Sequence, residues 1–178
     1  VEYKDNDQNL GAERFESALF AQLESGLIDD ALIAQSHQDA DKFWQIRDGI
    51  GELFQVLGPV SNQDVSLPLE QIGPFAEDLD QRLKAKYDNI GVLLFGHIGD
   101  NNLHVCAYTG RDEDKLKINE DIMHMIGEYS GAITAEHGVG VIKRDFLALS
   151  RTPSEIALMK TLKMAMDPKG ILNPKRVI

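Results

Sequence analysis

The sequence has 178 residues, with 18 Lys+Arg against 29 Asp+Glu for a formal net charge of −11, and 43% of its positions are hydrophobic. A chain of this length buries roughly 70% of its unfolded surface, which suits one domain, or one domain plus part of a second. No apolar run approaches the ~20 residues of a bilayer span. The start, Val1-Glu2-Tyr3-Lys4-Asp5, lacks the basic and apolar regions of a signal peptide. The acidic balance, without clustered Lys/Arg, argues against nucleic acid as a partner. Because the chain opens on Val1 and not on Met, we expect a fragment of a longer protein. Cys106, the only cysteine, excludes an intrachain disulfide and a thiolate-rich zinc site. It fits reducing, cytoplasmic surroundings, with peripheral membrane association left open.

Taken in chain order, Leu10 to Gln35 carries apolar residues three to five apart, interrupted by Gly26, and predicts two short amphipathic helices. Asp39 to Leu57 repeats at helical spacing, with a weak point at Gly49-Gly51. Phe43 and Trp44 read as core residues there. Asp64 to Leu69 alternates and predicts a strand, and Pro74 opens a helical pattern through Phe75, Leu79, Leu83 and Tyr87. Ile90 to Phe95 and Leu103 to Tyr108 read as two strands meeting across a Gly/Asp/Asn-rich turn. Glu113 to Tyr129 is helical, and Ser130-Gly131 separates it from a short strand, Ala132-Ile133-Thr134. Ile142 to Leu149 turns helical, and the cap-like Thr152-Pro153-Ser154-Glu155 starts a helix that Asp167-Pro168-Lys169-Gly170 stops. The order strand, helix, strand, strand, helix, strand predicts an α+β fold, an antiparallel sheet with helices on one face.

Polar and glycine-rich chemistry concentrates in residues 96–104 and 131–144. Gly96-His97-Ile98-Gly99-Asp100-Asn101-Asn102-Leu103-His104 sets two histidines seven apart on either side of a turn. In one unbroken strand that odd spacing would put them on opposite faces, whereas a reversal lets both rings converge. Ala135-Glu136-His137-Gly138-Val139-Gly140 places a carboxylate beside an imidazole at a strand end. Glu136 can then turn toward a metal held by His97 and His104 while His137 turns toward a reacting group. Two imidazoles and a carboxylate suit Zn²⁺, and also Mn²⁺ or Fe²⁺. Each histidine alone is as readily an ordinary hydrogen-bonded strand residue, and Asp100 a turn residue. His37 and His124 read as surface residues, Cys106 as a small buried hydrophobe.

These segments, with Lys143-Arg144, Met159-Lys160 and Asp167-Pro168-Lys169-Gly170-Ile171-Leu172-Asn173-Pro174, resemble the C-terminal domain of FAD-linked oxidases related to D-lactate dehydrogenase, D-2-hydroxyglutarate dehydrogenase and the glycolate oxidase FAD subunit. Trp44-Gln45-Ile46-Arg47 and Asp64-Val65-Ser66-Leu67-Pro68 extend the resemblance over most of the chain. It implies one such domain over residues 1–178, ferredoxin-like, with a helical C-terminal tail, residues 150–178, returning to a separate N-terminal FAD-binding domain. It implies FAD and a divalent metal as cofactors and oxidation of a D-2-hydroxy acid. His97, His104 and Glu136 match the family's metal ligands, His137 its catalytic base, Arg47 the arginine that holds the substrate carboxylate, and Asn173 a residue near the flavin. Lys143 and Arg144 read equally well as solvated helix-start cations.

Three positions depart from the family. Cys106 stands where some metal-containing members carry Asn, and Asn62 near where certain members carry a substrate-binding Lys, which puts a dicarboxylate substrate in doubt. Asn101 replaces a common Gly, a change that left-handed turn geometry tolerates. The implied partners are the 2-hydroxy acid, the N-terminal domain of the same protein and an electron acceptor of unspecified type, with a homodimer left open. Competing readings are a metal-dependent hydrolase using the same cluster and a non-catalytic oligomerisation or docking domain.

Overall fold

Asp7 sets the first helix: its carboxylate accepts the Asn9 and Leu10 N–H groups at 3.1 Å, capping α1 (Gln8–Glu24). The computed structural model describes residues 2–178, whose contacts divide them into two units, one up to Ile50 and one of Gly51–Ile178. In the first unit, Gly26 at φ 71° ends the α1 region, and the second helix expected before Gln35 does not form. Nine residues are too few to nucleate a helix without an apolar face to bury, and Leu27 and Leu32 are exposed. The pattern over Asp39 to Leu57 is two helices, α2 (His37–Asp48) and α3 (Ile50–Leu57), broken at Gly49 as its weak point suggested. Phe43 and Trp44 correct the core expectation: both are about two-fifths exposed on α2. As chain neighbours they point about 100° apart and cannot share a narrow buried stripe.

The second unit is built on β1 (Ser61–Ser66), α4 (Leu69–Lys86), β2 (Gly91–His97), β3 (Asn102–Tyr108) and α5 (Asp112–Glu128). The sheet is antiparallel in the order β1-β3-β2. Strand β1 lies three residues earlier than its alternation suggested, because polar Ser61 and Gln63 are buried in hydrogen bonds to Asn119 of α5. Helix α4 begins before Pro74, which sits exposed in its second turn, where its ring removes one backbone donor. The strand expected at Ala132-Ile133-Thr134 is reduced to one bridge, Ser66 to Ala132. Beyond it, the N–H groups of residues 135–137 go to the Asp64 carboxylate in place of a ladder.

Helices α4 and α5 cover one face of this sheet. Val65, Leu103, Val105 and Ala107 point into them and meet Phe75, Leu79, Leu83, Ile118, Ile122 and Ile126 in the core. The result is the expected α+β arrangement, helices on one face of an antiparallel sheet, in ferredoxin-like order with the last strand shrunk to a bridge. Alternation sends Asn62 and Asp64, His104 and Cys106, Phe95 and His97 to the other face.

A 3-10 turn over Arg144–Leu149 leads to α6 (Pro153–Met166), whose start carries the expected cap: Thr152 and Glu155 exchange hydrogen bonds. At its end Asp167 accepts the Lys163 ammonium at 2.6 Å and the Ile171 and Leu172 N–H groups at 3.0 and 2.9 Å. The tail then folds back, with Val177 N–H on the Gly140 carbonyl and Arg144 Nη1 on the Lys175 carbonyl.

Candidate functional site

The β2–β3 hairpin brings the two histidines to one face, as a reversal between them requires. Ile98–Asp100 forms a 3-10 turn and Asn101 takes the left-handed conformation, φ 57°. The register then places His97 opposite Asn102 and His104 opposite Phe95, so both imidazoles leave the sheet on the side away from α4 and α5. Their ring centroids are 6.0 Å apart and nearly perpendicular. Gly96 permits the close approach of the strands, since a Cβ there would collide with the Asn102 carbonyl oxygen. Phe95 stacks on His104 at 5.0 Å. Burial lowers the His104 pKa against the opposing pull of Asp64 and Glu136, which favours the neutral imidazole, the form with a lone pair to share.

The loop after Ala132 supplies the remaining groups. Glu136 Oε1 lies 3.2 Å from His97 Nδ1, and the His137 ring lies 6.4 Å from that of His104. Thus His97, His104, Glu136 and His137 form one cluster, contributed by two strands and a loop.

Asp64 holds that loop. Its side chain is only 4% exposed. Oδ2 accepts the N–H groups of Ala135, Glu136 and His137 at 3.3, 2.9 and 3.0 Å and stands 3.7 Å from His137 Nδ1, while Oδ1 accepts Asn102 Nδ2 at 2.9 Å. Burial alone would raise the Asp64 pKa, but the Glu136, His137 and Asn102 donors outweigh it and hold the carboxyl below its ordinary range. Lys143 Nζ donates to the Asp64 carbonyl at 2.7 Å, and burial lowers its pKa. Lys143 is therefore a partly buried clamp and not a solvated cation, and Arg144 is tied to Asp145 and the tail.

Asp64 and Asn102 were not singled out as site residues by sequence reasoning. Asp64 lies in the Asp64-Val65-Ser66-Leu67-Pro68 stretch, where it reads as one polar position of a strand. The available signal was an acid on a strand whose neighbours are core residues: such a carboxylate is buried only when donors meet it. Asn102 Oδ1 is buried with no partner among the described residues.

Arg47 belongs to the first unit. It sits in the last turn of α2, pairs with Asp48 at 3.2 Å and lies over the Trp44 ring at 5.9 Å. Asn173 is in the tail, where with Met159, Leu162, Leu172 and Arg176 it lines an open, largely apolar cavity of about 540 Å³. Asn62 and Cys106, two of the departures, are register partners, and the thiol donates to Asn62 Oδ1 at 3.3 Å. Cys106 is fully buried, as expected of a small hydrophobe.

Among the described residues no group of three His, Cys, Asp or Glu side chains is assembled as a metal-binding set. The donor types nevertheless suit a small divalent cation. The 3.2 Å between His97 Nδ1 and Glu136 Oε1 is close to the ligand-to-ligand edge of a tetrahedral zinc site, about 3.3 Å from metal–ligand bonds of ~2 Å. The His97 and His104 rings, 6.0 Å between centroids, stand wider than the about 5 Å that metal–nitrogen bonds of ~2 Å at the tetrahedral angle give.

The sequence matches the family of FAD linked oxidases, C-terminal domain, over residues 1–177. It is 39% identical over its full length to the mitochondrial D-2-hydroxyglutarate dehydrogenase of Arabidopsis thaliana, covering 32% of that protein. It is 35% identical over 87% of its length to a D-2-hydroxyglutarate dehydrogenase of Stutzerimonas stutzeri, covering 35% of it. With the mitochondrial enzyme of Rattus norvegicus it shares 34% identity over its full length, covering 33% of that protein. The chain spans about a third of the length of these curated relatives. By its motifs, its fold and a match over nearly every residue, the chain belongs to the family of FAD-linked oxidases, as their C-terminal domain.

Proposed function

We propose that this chain is the substrate- and metal-binding part of a flavin-dependent dehydrogenase that oxidises a D-2-hydroxy acid to the 2-oxo acid. The observation that carries the reading is the convergence of His97, His104, Glu136 and His137 on the sheet face away from the helices. Family membership supports the flavin chemistry. FAD, held mainly by an N-terminal domain of the same protein with Asn173 of the tail at residues 150–178 beside it, would supply the hydride acceptor. A divalent cation on His97, His104 and Glu136, with zinc the first choice and Mn²⁺ or Fe²⁺ the alternatives, supplies Lewis-acid stabilisation of charge on the substrate oxygen.

The chain's own residues account for the rest. Arg47 gives the substrate carboxylate a permanently charged, two-pronged donor, which fixes which hydrogen faces the acceptor. His137 takes the hydroxyl proton, an imidazole being matched to proton transfer near neutral pH. Its Nδ1 lies 3.7 Å from the Asp64 carboxylate, which leaves Nε2 as the nitrogen turned away from that anion. The neutral Asn62–Cys106 pair supports a substrate without a second carboxylate at that row of the sheet. A single, fully buried thiol supports a reducing compartment such as the cytoplasm.

The test is anaerobic mixing of the flavin-loaded, full-length protein with a panel of D- and L-2-hydroxy acids, before and after chelator treatment. Bleaching of the flavin by a D-acid, lost on chelation and restored by a divalent metal, is the expected result. A flavin that no 2-hydroxy acid reduces would overturn the reading.

A further inference from the structure

The most deeply buried charge beside the histidines is one that the proposed chemistry leaves idle. We infer that Asp64 is the positioning residue of this site: its carboxylate fixes the backbone of residues 135–137 and thereby the directions in which Glu136 and His137 leave it. The inference rests on the functional reading above. Glu136 and His137 are chain neighbours that must face different partners, Glu136 toward His97 and His137 toward His104, and one backbone conformation has to satisfy both.

The loop's own hold on that conformation is one hydrogen bond across it, from Thr134 Oγ1 to the Gly138 carbonyl at 3.1 Å. The loop forms no ladder beyond Ala132, its residues 135–138 are exposed, and Gly138 and Gly140 follow at φ 73° and 57°. Glycine at such positions adds backbone freedom to the unconstrained chain. The larger hold is external: three successive N–H groups converge on one oxygen, Asp64 Oδ2.

The carboxylate is itself pinned. A carboxylate only accepts, so the Asn102 group that meets Oδ1 at 2.9 Å is the amide NH₂, and this contact stops the carboxylate from rotating. Asp64 is also the β1 residue paired with His104 on β3. One residue therefore fixes the spacing between the hairpin's histidine and the loop's histidine. Lys143, on the Asp64 carbonyl, ties down the far side of the same loop. An amide here keeps these bonds once the Asn102 side chain turns over to present its otherwise unpartnered Oδ1, whereas a methyl group offers no acceptor to the three N–H groups at all.

The experiment uses Asp64→Ala in the full-length, flavin-loaded protein, with secondary structure and flavin content first matched to the parent. The expected result is a fall in the rate of flavin reduction at saturating substrate of about 100-fold, the scale of a misplacement near 1 Å. KM should stay within about threefold, because Arg47 still holds the carboxylate. Amide hydrogen exchange at residues 135–137 should lose its protection while β3 keeps its own. A folded variant that reduces its flavin within about threefold of the parent rate, or keeps 135–137 protected, overturns the assignment and leaves the functional reading standing. A parent that no 2-hydroxy acid reduces overturns both. If Asp64→Ala does not fold, Asn102→Ala removes only the pinning donor: an approximately tenfold loss of rate at constant KM is expected, and an unchanged rate overturns the assignment.

Discussion

The two faces of the sheet in the Gly51–Ile178 unit use the same three strands for opposite purposes. Along β3, Leu103, Val105 and Ala107 are 7%, 0% and 0% exposed and point into α4 and α5, while Asn102, His104 and Cys106 between them serve the other side. On β1, core Val65 follows pinned Asp64. Side-chain alternation thus divides each strand between stability and chemistry one residue at a time. Neighbouring substitutions should separate the two.

The largest separation is expected at the exposed end of the cluster. His137→Ala should lower turnover of the full-length protein by about 10³-fold, within the usual range for a general base, while thermal stability stays at the parent's. His97→Ala and His104→Ala should lose bound metal as well as turnover, whereas His137→Ala should keep the metal. Metal analysis beside rate measurements checks the split. If all three lose metal equally, His137 belongs with the ligands.

Leu103→Ala reverses the pattern. A buried leucine truncated between two site residues should cost about 2–5 kcal/mol of stability, read from denaturant midpoints. Turnover per folded molecule should remain close to the parent's. A folded Leu103→Ala protein that turns over poorly would mean that the two faces are mechanically joined through β3, and the division of labour would fail.

How much of this division could be read beforehand depended on which groups speak locally. The hairpin did, because His97, the Gly/Asp/Asn turn and His104 lie within eight residues and the turn chemistry announces itself. The cap at Thr152 to Glu155 did so for the same reason, and the apolar period of α5 survives in any context. The last strand was overestimated because Ala132-Ile133-Thr134 has strand character, while the group that diverts the next N–H donors, Asp64, lies some seventy residues earlier. Ser61 and Gln63 hid the start of β1, because a buried polar residue is recognisable only from its partner, and Asn119 is on another element. Phe43 and Trp44 failed for the complementary reason: apolar character gives no direction, and α2 turns both side chains partly to solvent. The site's chemistry was therefore visible in its exposed members, and its support was not.

Asp167 offers a milder version of the Asp64 arrangement, away from the histidines. It accepts the Lys163 ammonium and the N–H groups of Ile171 and Leu172, just before Asn173. The Lys163 bond and then those two N–H groups hold its carboxyl below the ordinary range, against burial. A depressed carboxyl stabilises the fold above its unfolded pKa, about 3.9, and loses that contribution as pH falls through the folded value. Asp167→Asn should therefore unfold at a lower temperature than the parent at pH 6, and the gap should close below about pH 4. Thermal melts across that range test it. A gap that is constant in pH would reduce Asp167 to shape alone.

The smallest effect is expected at Cys106, which sharpens the comparison from the chemical face. It shares that face with His104 yet is fully buried, and burial pushes its thiol up to about 11. At pH 8 only about one molecule in a thousand would carry the reactive thiolate. Iodoacetamide should leave the native chain unmodified over a period in which the urea-unfolded chain takes one adduct, as mass spectrometry reads directly. Cys106→Ser keeps a donor for Asn62 and should leave turnover within about twofold of the parent, because the row Asn62–Cys106–Leu93 lies one step along the sheet from the histidines. Rapid alkylation of the native protein would show that this row opens to solvent. The reactive surface would then extend along β3 beyond His104, and the boundary between chemistry and packing on that face would move with it.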